Sequence, residues 1–352
     1  MEKFMEPIDF IDVNKNSRVP MYQQIVDSII NNISNGNIKL NDKLPSINSI
    51  SEDFYLSRDT VEKAYSILKD RNIIVSIPRR GYYVSKIEAT HKLKILFLVN
   101  KLSTHKMIIY NSFVNRLGLN SKIDLVIYHC DEFFFLNTLN NNKEGYDYYV
   151  IMPHFKTDTQ KHASFTEDTL KVINEIPKNK LLVLDNLIPP ISEEVSAVYQ
   201  EFDNDIYEAL KKGIEKIHKY NKLILIYPEK SVYPYPRRIL RGFRKFCLEK
   251  NIDFEILNEV CDDMVFIKGD LFITIEESDL VNLVNQLREN EFKIGQDIGI
   301  ISYNDTPLKQ LLGIAVVSTN FKIMGESAAQ MILDNKLENF KVPFNFIDRN
   351  SI

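Results

Sequence analysis

Apolar residues in the first quarter of the chain recur first with the spacing of helices and then with that of strands. Met21, Ile25 and Ile29 share one helical face, and Pro20 precedes the first of them. The pattern predicts three short helices and then two strands around a turn. In chain order these are helices over 21–34, 47–54 and 58–68, and strands over 73–75 and 82–84.

Two serines stand where the second and third helices begin, and each is typical of an N-cap. The third helix leaves polar side chains exposed near its N-terminus, the end from which a helix-turn-helix recognition helix reads bases. A turn with two adjacent arginines joins the strands. It is either a solvated turn or a phosphate or minor-groove contact, and its position favours the second. The candidate DNA contacts are Ser46, Ser57, Arg58, Asp59, Thr60, Lys63, Arg79, Arg80 and Gly81.

The charge distribution agrees with a DNA-binding head. The whole chain of 352 residues carries a formal net charge of −4. Residues 1–91 contain 12 basic and 12 acidic residues, and the segment 57–86 within them contains 7 basic and 3 acidic ones, a local excess of +4. The remaining residues therefore carry the whole −4. A locally basic head on an acidic body is what attraction to phosphate requires.

Residues 20–84 resemble the winged-helix domain of the GntR family of bacterial transcription regulators. The resemblance rests on short motifs in order: Pro-x-Tyr-x-Gln from Pro20, Leu-Pro-Ser from Leu44, Ser-Arg-x-Thr-Val from Ser57, Ala-Tyr-x-x-Leu from Ala64 and the wing sequence Gly-Tyr-Tyr-Val from Gly81. It implies double-stranded operator DNA as a partner. Two positions depart from the family. Asn48 replaces a common arginine, which removes one expected DNA contact, and Asn72 replaces a glycine, a change that asparagine tolerates in the left-handed conformation.

From residue 92 onward, strand-sized apolar runs alternate with helical stretches, for example at 205–218, 239–250 and 279–289. Alternation over this length predicts an α/β protein with mostly parallel sheets, in two doubly wound lobes with a ligand cleft at the carboxyl ends of the strands. The predicted strands are 95–99, 125–128, 148–152, 181–184, 223–227, 254–257, 271–275, 298–302 and 314–317.

Residues 92–352 contain several short motifs in order: Leu-Val-Leu-Asp at 182–185 with 198–204, Arg-Gly-Phe at 241–243, Gly-Gln-Asp-Ile-Gly-Ile-Ile-Ser-Tyr-Asn-Asp at 295–305, Val-Ser-Thr at 317–319 with Met-Gly at 324–325, and Arg-Asn-Ser at 349–351. These motifs make the segment similar to the sugar-binding domain of the LacI family, which shares the periplasmic-binding-protein fold. A GntR head on a LacI-type body is the architecture of the arabinose repressor group. The resemblance implies a homodimer and a small-molecule effector, expected to be a monosaccharide.

The resemblance also implies residues in the cleft. By position these are Asp185, Tyr199, Glu276 and Asn304, a set whose carboxylates, amide and ring suit a sugar. The clamp arginine of the family falls at Ile239 here, so the neighbouring Arg238 is the candidate. Polar residues that follow strands in the first lobe are candidates too, or else solvated loop residues: Asn100, Lys101, Ser103 and His154.

Other classes of protein receive less support. The six histidines lack metal-ligand spacing, the three cysteines lack paired spacing, and no Gly-rich cofactor motif occurs, so we expect no metal, cofactor or enzymatic activity. No signal peptide or apolar run of bilayer length is visible, which predicts a cytoplasmic protein without a membrane partner. Expected domains are a winged helix over 1–84, a linker over 85–92 and an effector-binding and dimerisation body over 93–352. A partner-binding body or a vestigial or active small-molecule enzyme stays open.

Overall fold

The computed structural model describes residues 7–14, 17–34, 36–85, 93–118, 121–143, 145–157, 159, 161–191, 193–229 and 231–352. The chain divides into two compact units, Met1–His91 and Lys92–Ile352, called the head and the body below. Apart from Ser85, the expected linker lies outside the described residues.

The head contains the three helices and two strands that the periodicity predicts. After a single 3₁₀ turn at Pro7–Phe10, the elements are α1 (Met21–Ser34), α2 (Ile47–Phe54), α3 (Arg58–Asp70), β1 (Ile74–Ile77) and β2 (Gly81–Val84). The two strands pair antiparallel, with Ile74 opposite Val84 and Ile77 opposite Gly81. Helices were therefore predicted almost to the residue, whereas the strand pair extends further towards the turn than the apolar residues alone indicated.

Helix α3 is held in the head by its buried face. Val61, Ala64 and Leu68 are fully buried against the other helices, at the helical spacing that an amphipathic pattern requires. Tyr65 is buried too; its hydroxyl donates to the carbonyl of Pro45 at 2.7 Å, and its ring packs edge-on against Tyr82 of β2. One side chain thus ties α3 to the start of α2 and to the wing.

The turn after α3 confirms the prediction made for asparagine at its end. Asn72 has a φ of 54°, so the left-handed conformation that the family assigns to glycine is adopted by asparagine. The chain can therefore reverse from α3 into β1 without the glycine.

Nine helices of the body stand in the chain order α4 (Thr104–Leu117), α5 (Glu132–Asn141), α6 (Glu167–Asn174), α7 (Phe202–Lys212), α8 (Ile214–Ile217), α9 (Arg238–Lys250), α10 (Glu277–Glu289), α11 (Pro307–Leu311) and α12 (Phe321–Leu333), counted over the described residues. The described strands of the body are β3 (Leu93–Val99), β4 (Ser121–Ile127), β5 (Tyr148–Ile151), β6 (Phe155–Lys156), β7 (His162–Ala163), β8 (Leu181–Asp185), β9 (Ser196–Tyr199), β10 (Lys222–Ile226), β11 (Asp253–Leu257), β12 (Asp270–Thr274), β13 (Gly299–Tyr303), β14 (Ala315–Thr319), β15 (Phe340–Lys341) and β16 (Phe344–Ile347).

Twelve of these strands form two six-stranded sheets, one in each lobe, and β6 and β7 form a separate antiparallel pair. The first lobe has the order β15-β9-β8-β5-β3-β4, and all its neighbours are parallel. The second lobe has the order β11-β10-β12-β13-β14-β16, with only β16 antiparallel. The α/β class and the two-lobed, mostly parallel architecture are confirmed. Parallel strands place all their carboxyl ends on one edge, which fixes where a cleft can form.

The chain passes between the lobes three times. The passages follow β9, β14 and β15, at 199–202, 319–321 and 341–344. The third depends on β15 and β16, short and partly exposed strands that were not predicted because they lack a buried apolar run.

Candidate functional site

The N-terminus of α3 presents a polar, exposed surface in the head. Ser57 caps the helix by accepting from the backbone N–H of Thr60 at 3.3 Å, and its hydroxyl lies 2.7 Å from that of Thr60. Arg58 is two-thirds exposed, and its Nε donates to Glu62 one turn further on. Lys63 lies over the ring of Tyr22, 3.9 Å from its centroid. Arg58 and Lys63 are thus held near the helix start by light surface contacts that a phosphate can replace.

The other predicted DNA contacts lie at the start of α2 and at the wing tip. Ser46 caps α2 by accepting from Ser49 N–H at 3.0 Å. Arg79 and Arg80 are exposed in the turn between β1 and β2, where Arg79 has a φ of 65° and Gly81 one of 105°. Such a conformation is uncommon for a non-glycine residue, so the backbone at Arg79 is strained.

A cavity of about 310 Å³ lies in the body at the carboxyl ends of the strands. Segments after β12 and β13 supply most of its wall, Tyr235 comes from the segment before α9, and the start of α4 contributes from the other lobe. Its lining residues are Ser103, Thr104, His105, Tyr235, Ile275, Glu276, Glu277, Ser278, Tyr303, Asn304, Thr306 and Lys309. Because both lobes contribute, a ligand here would touch both.

Buried polar atoms without protein partners concentrate at this cleft. Among the described residues, the buried side-chain oxygens that lack a hydrogen bond are Asn100 Oδ1, the Tyr303 hydroxyl and Asn304 Oδ1. Tyr303 and Asn304 end β13 and line the cavity, and Asn100 follows β3. A buried polar group without a partner costs free energy, commonly about 1–3 kcal/mol. A hydroxylated ligand would remove that cost for the two groups in the cavity wall.

Asp185 is the centre of a buried hydrogen-bond network behind the cavity. Its Oδ2 accepts from Lys106 Nζ and from His154 Nε2 at 2.8 Å, and its Oδ1 accepts from Gln200 Nε2 at 2.5 Å. Its φ of 70° marks a sharp turn at the end of β8. Burial opposes its ionisation, yet the Lys106 ammonium and the bond from His154 hold the pKa of the Asp185 carboxyl well below its ordinary value.

The protonation of the two histidines in this network follows from their surroundings. Burial, reinforced by Lys106, lowers the pKa of His154 to about 4, so its ring is neutral near pH 7. Its Nε2 must carry the proton that bonds Asp185, which leaves Nδ1 as the acceptor for His162 Nε2 at 2.8 Å. Burial also lowers the pKa of His162 well below its ordinary value. His162 thus donates to His154, and His154 donates to the Asp185 carboxylate.

Several contacts join the lobes across the cleft. Arg238, at the start of α9, donates to Asn186 Oδ1 in the first lobe and lies over the ring of Phe202. Tyr233 contacts His129 Nδ1 at 2.9 Å through its hydroxyl, and the Lys101 ammonium lies 5.5 Å from its ring centroid. The lobes are therefore held together on this side by side chains that can separate.

The passages between the lobes are hydrogen-bonded to the Asp185 network. Gln200, in the first passage, donates to Asp185 and accepts from the Thr319 hydroxyl at 2.6 Å in the second. Lys341, beside the third passage, pairs with Glu201 at 2.5 Å and with Asp205 at 3.1 Å. A displacement of the Asp185 network is therefore linked to the passages, the segments about which the lobes would turn.

The structure places the predicted ligand residues in two groups. Ser103, Glu276 and Asn304 line the cavity. The others lie outside its wall. Asp185 and His154 belong to the buried network, Asn100 is buried with its amide N–H directed at Cys130, Tyr199 packs against the apolar core of the first lobe, and Lys101 and Arg238 make the contacts across the cleft.

Two important residues were missed from the sequence. Lys106 lies one turn inside α4 and Lys309 lies in α11, and both are almost fully buried. Each sits three residues after the N-cap of its helix, a position that in sequence reads as a solvated surface lysine. Only the fold, which buries Lys106 against Asp185 and Lys309 against the end of β13, reveals their contacts.

The buried histidines predict how stability depends on pH. Below the unfolded pKa of about 6.5, histidine takes up a proton in the unfolded chain but not in the folded one, so stability falls as pH falls towards the folded pKa of about 4. We expect a His154→Gln variant to flatten the dependence of unfolding free energy on pH between 7 and 5 by up to about 1.4 kcal/mol per unit. Urea titrations of both proteins at several pH values check this; parallel curves would contradict it.

Comparison with known families gives one match in the head and one in the body. Residues 21–84 match the family described as bacterial regulatory proteins, gntR family, and residues 216–343 match the periplasmic binding protein-like domain. The chain joins a GntR-family head to a periplasmic-binding-protein-like body. This is the combination of domains that the sequence motifs indicated.

Curated relatives match either the head alone or much of the chain. The HTH-type transcriptional repressor NagR of Bacillus subtilis is 36% identical over 76 residues, which are 22% of this chain and 31% of that protein. The regulator GalR of Streptococcus thermophilus is 25% identical over 249 residues, covering 60% of this chain and 72% of GalR. The chain thus spans about a third of the length of NagR.

Solved structures resemble this chain over most of its length. The trehalose repressor from Escherichia coli superposes with a TM-score of 0.57 at 12% identity, covering 72% of this chain and 99% of the repressor. The Lac repressor bound to ONPG gives a TM-score of 0.56 at 14% identity, covering 84% and 92%. At such identities the likeness shows the two-lobed fold.

Two features are absent from the described ranges of the chain. No helix there is both long and apolar enough to cross a membrane. No group of three or more His, Cys, Asp or Glu side chains there is arranged to hold a metal ion.

Proposed function

We propose that this protein is a sugar-responsive transcription regulator, acting as a repressor. In this proposal its head, within residues 1–84, binds a palindromic operator as part of a homodimer. Residues 85–92 link it to a body, 93–352, that binds a monosaccharide or derivative between its lobes. The observation that carries the proposal is the pairing of a GntR-type head with a cleft whose buried polar groups lack partners.

The geometry of the head supports DNA binding by α3 and the wing. Arg58 and Thr60 stand at the exposed N-terminus of α3, from which side chains of a recognition helix reach base edges or adjacent phosphates. Arg79 and Arg80 stand at the wing tip, placed for the backbone or the minor groove. The relatives NagR and YtrA, both called repressors, match in the head, which supports repression as the mode of action.

The cavity supports a small hydroxylated ligand. Its volume of about 310 Å³ is at the lower end of the range typical of small-molecule sites, about 300–1,000 Å³. Carboxylates at Glu276 and Glu277 and the amide of Asn304 can accept from hydroxyls, while the ring of Tyr235 offers an apolar face. This composition suits one sugar ring better than an extended or apolar molecule.

The two activities are coupled in the proposal through closure of the lobes. A ligand that touches both lobes favours the closed arrangement, and the passages at 199–202, 319–321 and 341–344 allow the turn. In a dimer that contacts along the lobes, closure changes the separation or freedom of the two heads. Because coupling is reciprocal, operator DNA must also weaken the binding of the sugar.

The role of α3 is tested by an Arg58→Ala variant. Its affinity for the operator should fall by about 1–3 kcal/mol, because a base-edge or phosphate contact is lost. Lys69→Ala is the matched control, since Lys69 is exposed on the same helix but lies at its C-terminal end.

Gel-shift titrations of the full chain, on operator DNA selected from genomic fragments, measure both variants. Unchanged affinity for Arg58→Ala, or an equal loss for Lys69→Ala, would remove the recognition-helix role from α3.

A further inference from the structure

The polar groups of the cavity restrict the charge of the ligand as well as its size. Among the lining side chains, Glu276 and Glu277 are carboxylates and Lys309 is an ammonium, so two negative charges and one positive charge leave a net of −1. This counts only groups that line the cavity, all of which are described.

The carboxylates keep acceptor capacity for a ligand. Ser231 donates to Glu276 Oε1 at 2.8 Å, and Thr306 donates to Glu277 Oε1 at 2.6 Å. No other hydrogen bond or ion pair engages either carboxylate among the described residues. Asn304 Oδ1 is a further buried acceptor without a donor. The cavity wall therefore favours a ligand that carries hydrogen-bond donors.

The cations near the cleft are already engaged by the protein. Lys309 Nζ donates to the carbonyls of Tyr303 and Asn304 at 2.8 and 2.9 Å, and burial lowers its pKa to about 8. Lys106 is paired with Asp185. Of three protons on Lys309, only one remains, so no free bidentate donor faces the cavity.

The remaining basic groups add little positive charge to the cavity wall. Arg238 lies outside the cavity wall and donates to Asn186. Lys101, also outside the wall, lies over the ring of Tyr235, 4.5 Å from its centroid. His105 lines the cavity, but burial lowers the pKa of its ring to about 3, so it is uncharged near neutral pH.

We propose that the effector is a sugar without an anionic group, either a neutral monosaccharide or an amino sugar, and that sugar phosphates and sugar acids are rejected. This deepens the proposed function and rests on it. The physical reason is that a phosphate or carboxylate would lie beside two carboxylates with no unpaired guanidinium, a like-charge arrangement that disfavours binding. A neutral hydroxyl group or an ammonium group can instead donate hydrogen bonds to Glu276, Glu277 and Asn304.

The test is a thermal-shift and calorimetric panel on the full chain. It contains pentoses, hexoses and their 2-amino derivatives, each beside its phosphate and uronate counterpart at equal ionic strength. We expect at least one neutral or aminated sugar to raise the melting temperature, and its anionic counterpart to bind at least tenfold more weakly.

Charge-matched variants accompany the panel. Glu276→Gln should weaken binding of the sugar at least tenfold, because it removes a charged acceptor. Glu289→Gln, exposed at the far end of the helix α10 that begins after Glu276, should leave binding unchanged. Preference for the phosphate or acid, or tighter binding of it by Glu276→Gln without loss of the neutral sugar, overturns the inference while leaving a sugar-responsive regulator. A panel with no binding sugar of any charge overturns the proposed function and this inference together.

Discussion

Replacing Lys106 by methionine should lower the free energy of unfolding of the body by about 3–5 kcal/mol. Lys106 is 3% exposed and donates to Asp185, which is equally buried. Methionine has a similar length but no charge, so the variant leaves the Asp185 carboxylate buried without its counter-ion. The bonds from His154 and Gln200 remain, but neither carries a compensating charge near pH 7.

A surface ion pair provides the control for this prediction. Lys143 pairs with Glu175 at 2.6 Å, and both side chains are about half exposed. Lys143→Met should therefore change stability by less than about 1 kcal/mol. Urea unfolding of the full chain, followed by circular dichroism, compares the two. Equal and small effects would show that the Asp185 network does not hold the first lobe together.

The second large effect is on operator affinity. The sugar should weaken binding to the operator by about 5- to 150-fold, which corresponds to a coupling free energy of about 1–3 kcal/mol. Glu276→Ala should abolish that response and keep the operator affinity of the free protein, because Glu276 lines the cavity in the body and the DNA contacts are in the head.

Asp185 is a less suitable probe of the response, although its position in the family suggested ligand contact. Its carboxylate already accepts from Lys106, His154 and Gln200. An Asp185→Ala variant would remove the centre of a buried network and leave Lys106 without a partner. We expect it to lose stability along with any response, so its loss of function would not identify a ligand contact.

The sequence predicted those features that depend on local periodicity. The helices of the head and nine strands of the body were predicted because their buried residues follow a period of 3.6 or form apolar runs. Five strands of two to four residues were missed because such short segments lack such a run: β6, β7, β9, β15 and β16. The α7 helix began three residues before the expected start, since Phe202 follows directly from the passage after β9.

The candidate site was predictable only in part, because motifs give positions along the chain and not the direction of side chains. Glu276 and Asn304 follow β12 and β13, and both line the cavity. Tyr199 also follows from a motif, yet it packs against the core of the first lobe. Lys106 and Lys309 belong to no motif, and their burial arises from contacts between segments far apart in sequence.

The central claim is that ligand binding in the cleft changes DNA binding by the head. The most direct test is the operator affinity of the full chain, measured by gel shift or fluorescence anisotropy with and without the sugar that stabilises it, for the wild type, Glu276→Ala and Glu289→Gln. The account predicts a loss of affinity of at least fivefold on adding sugar to the wild type and to Glu289→Gln, and no change for Glu276→Ala. Sugar that binds the wild type but leaves its operator affinity unchanged would contradict it.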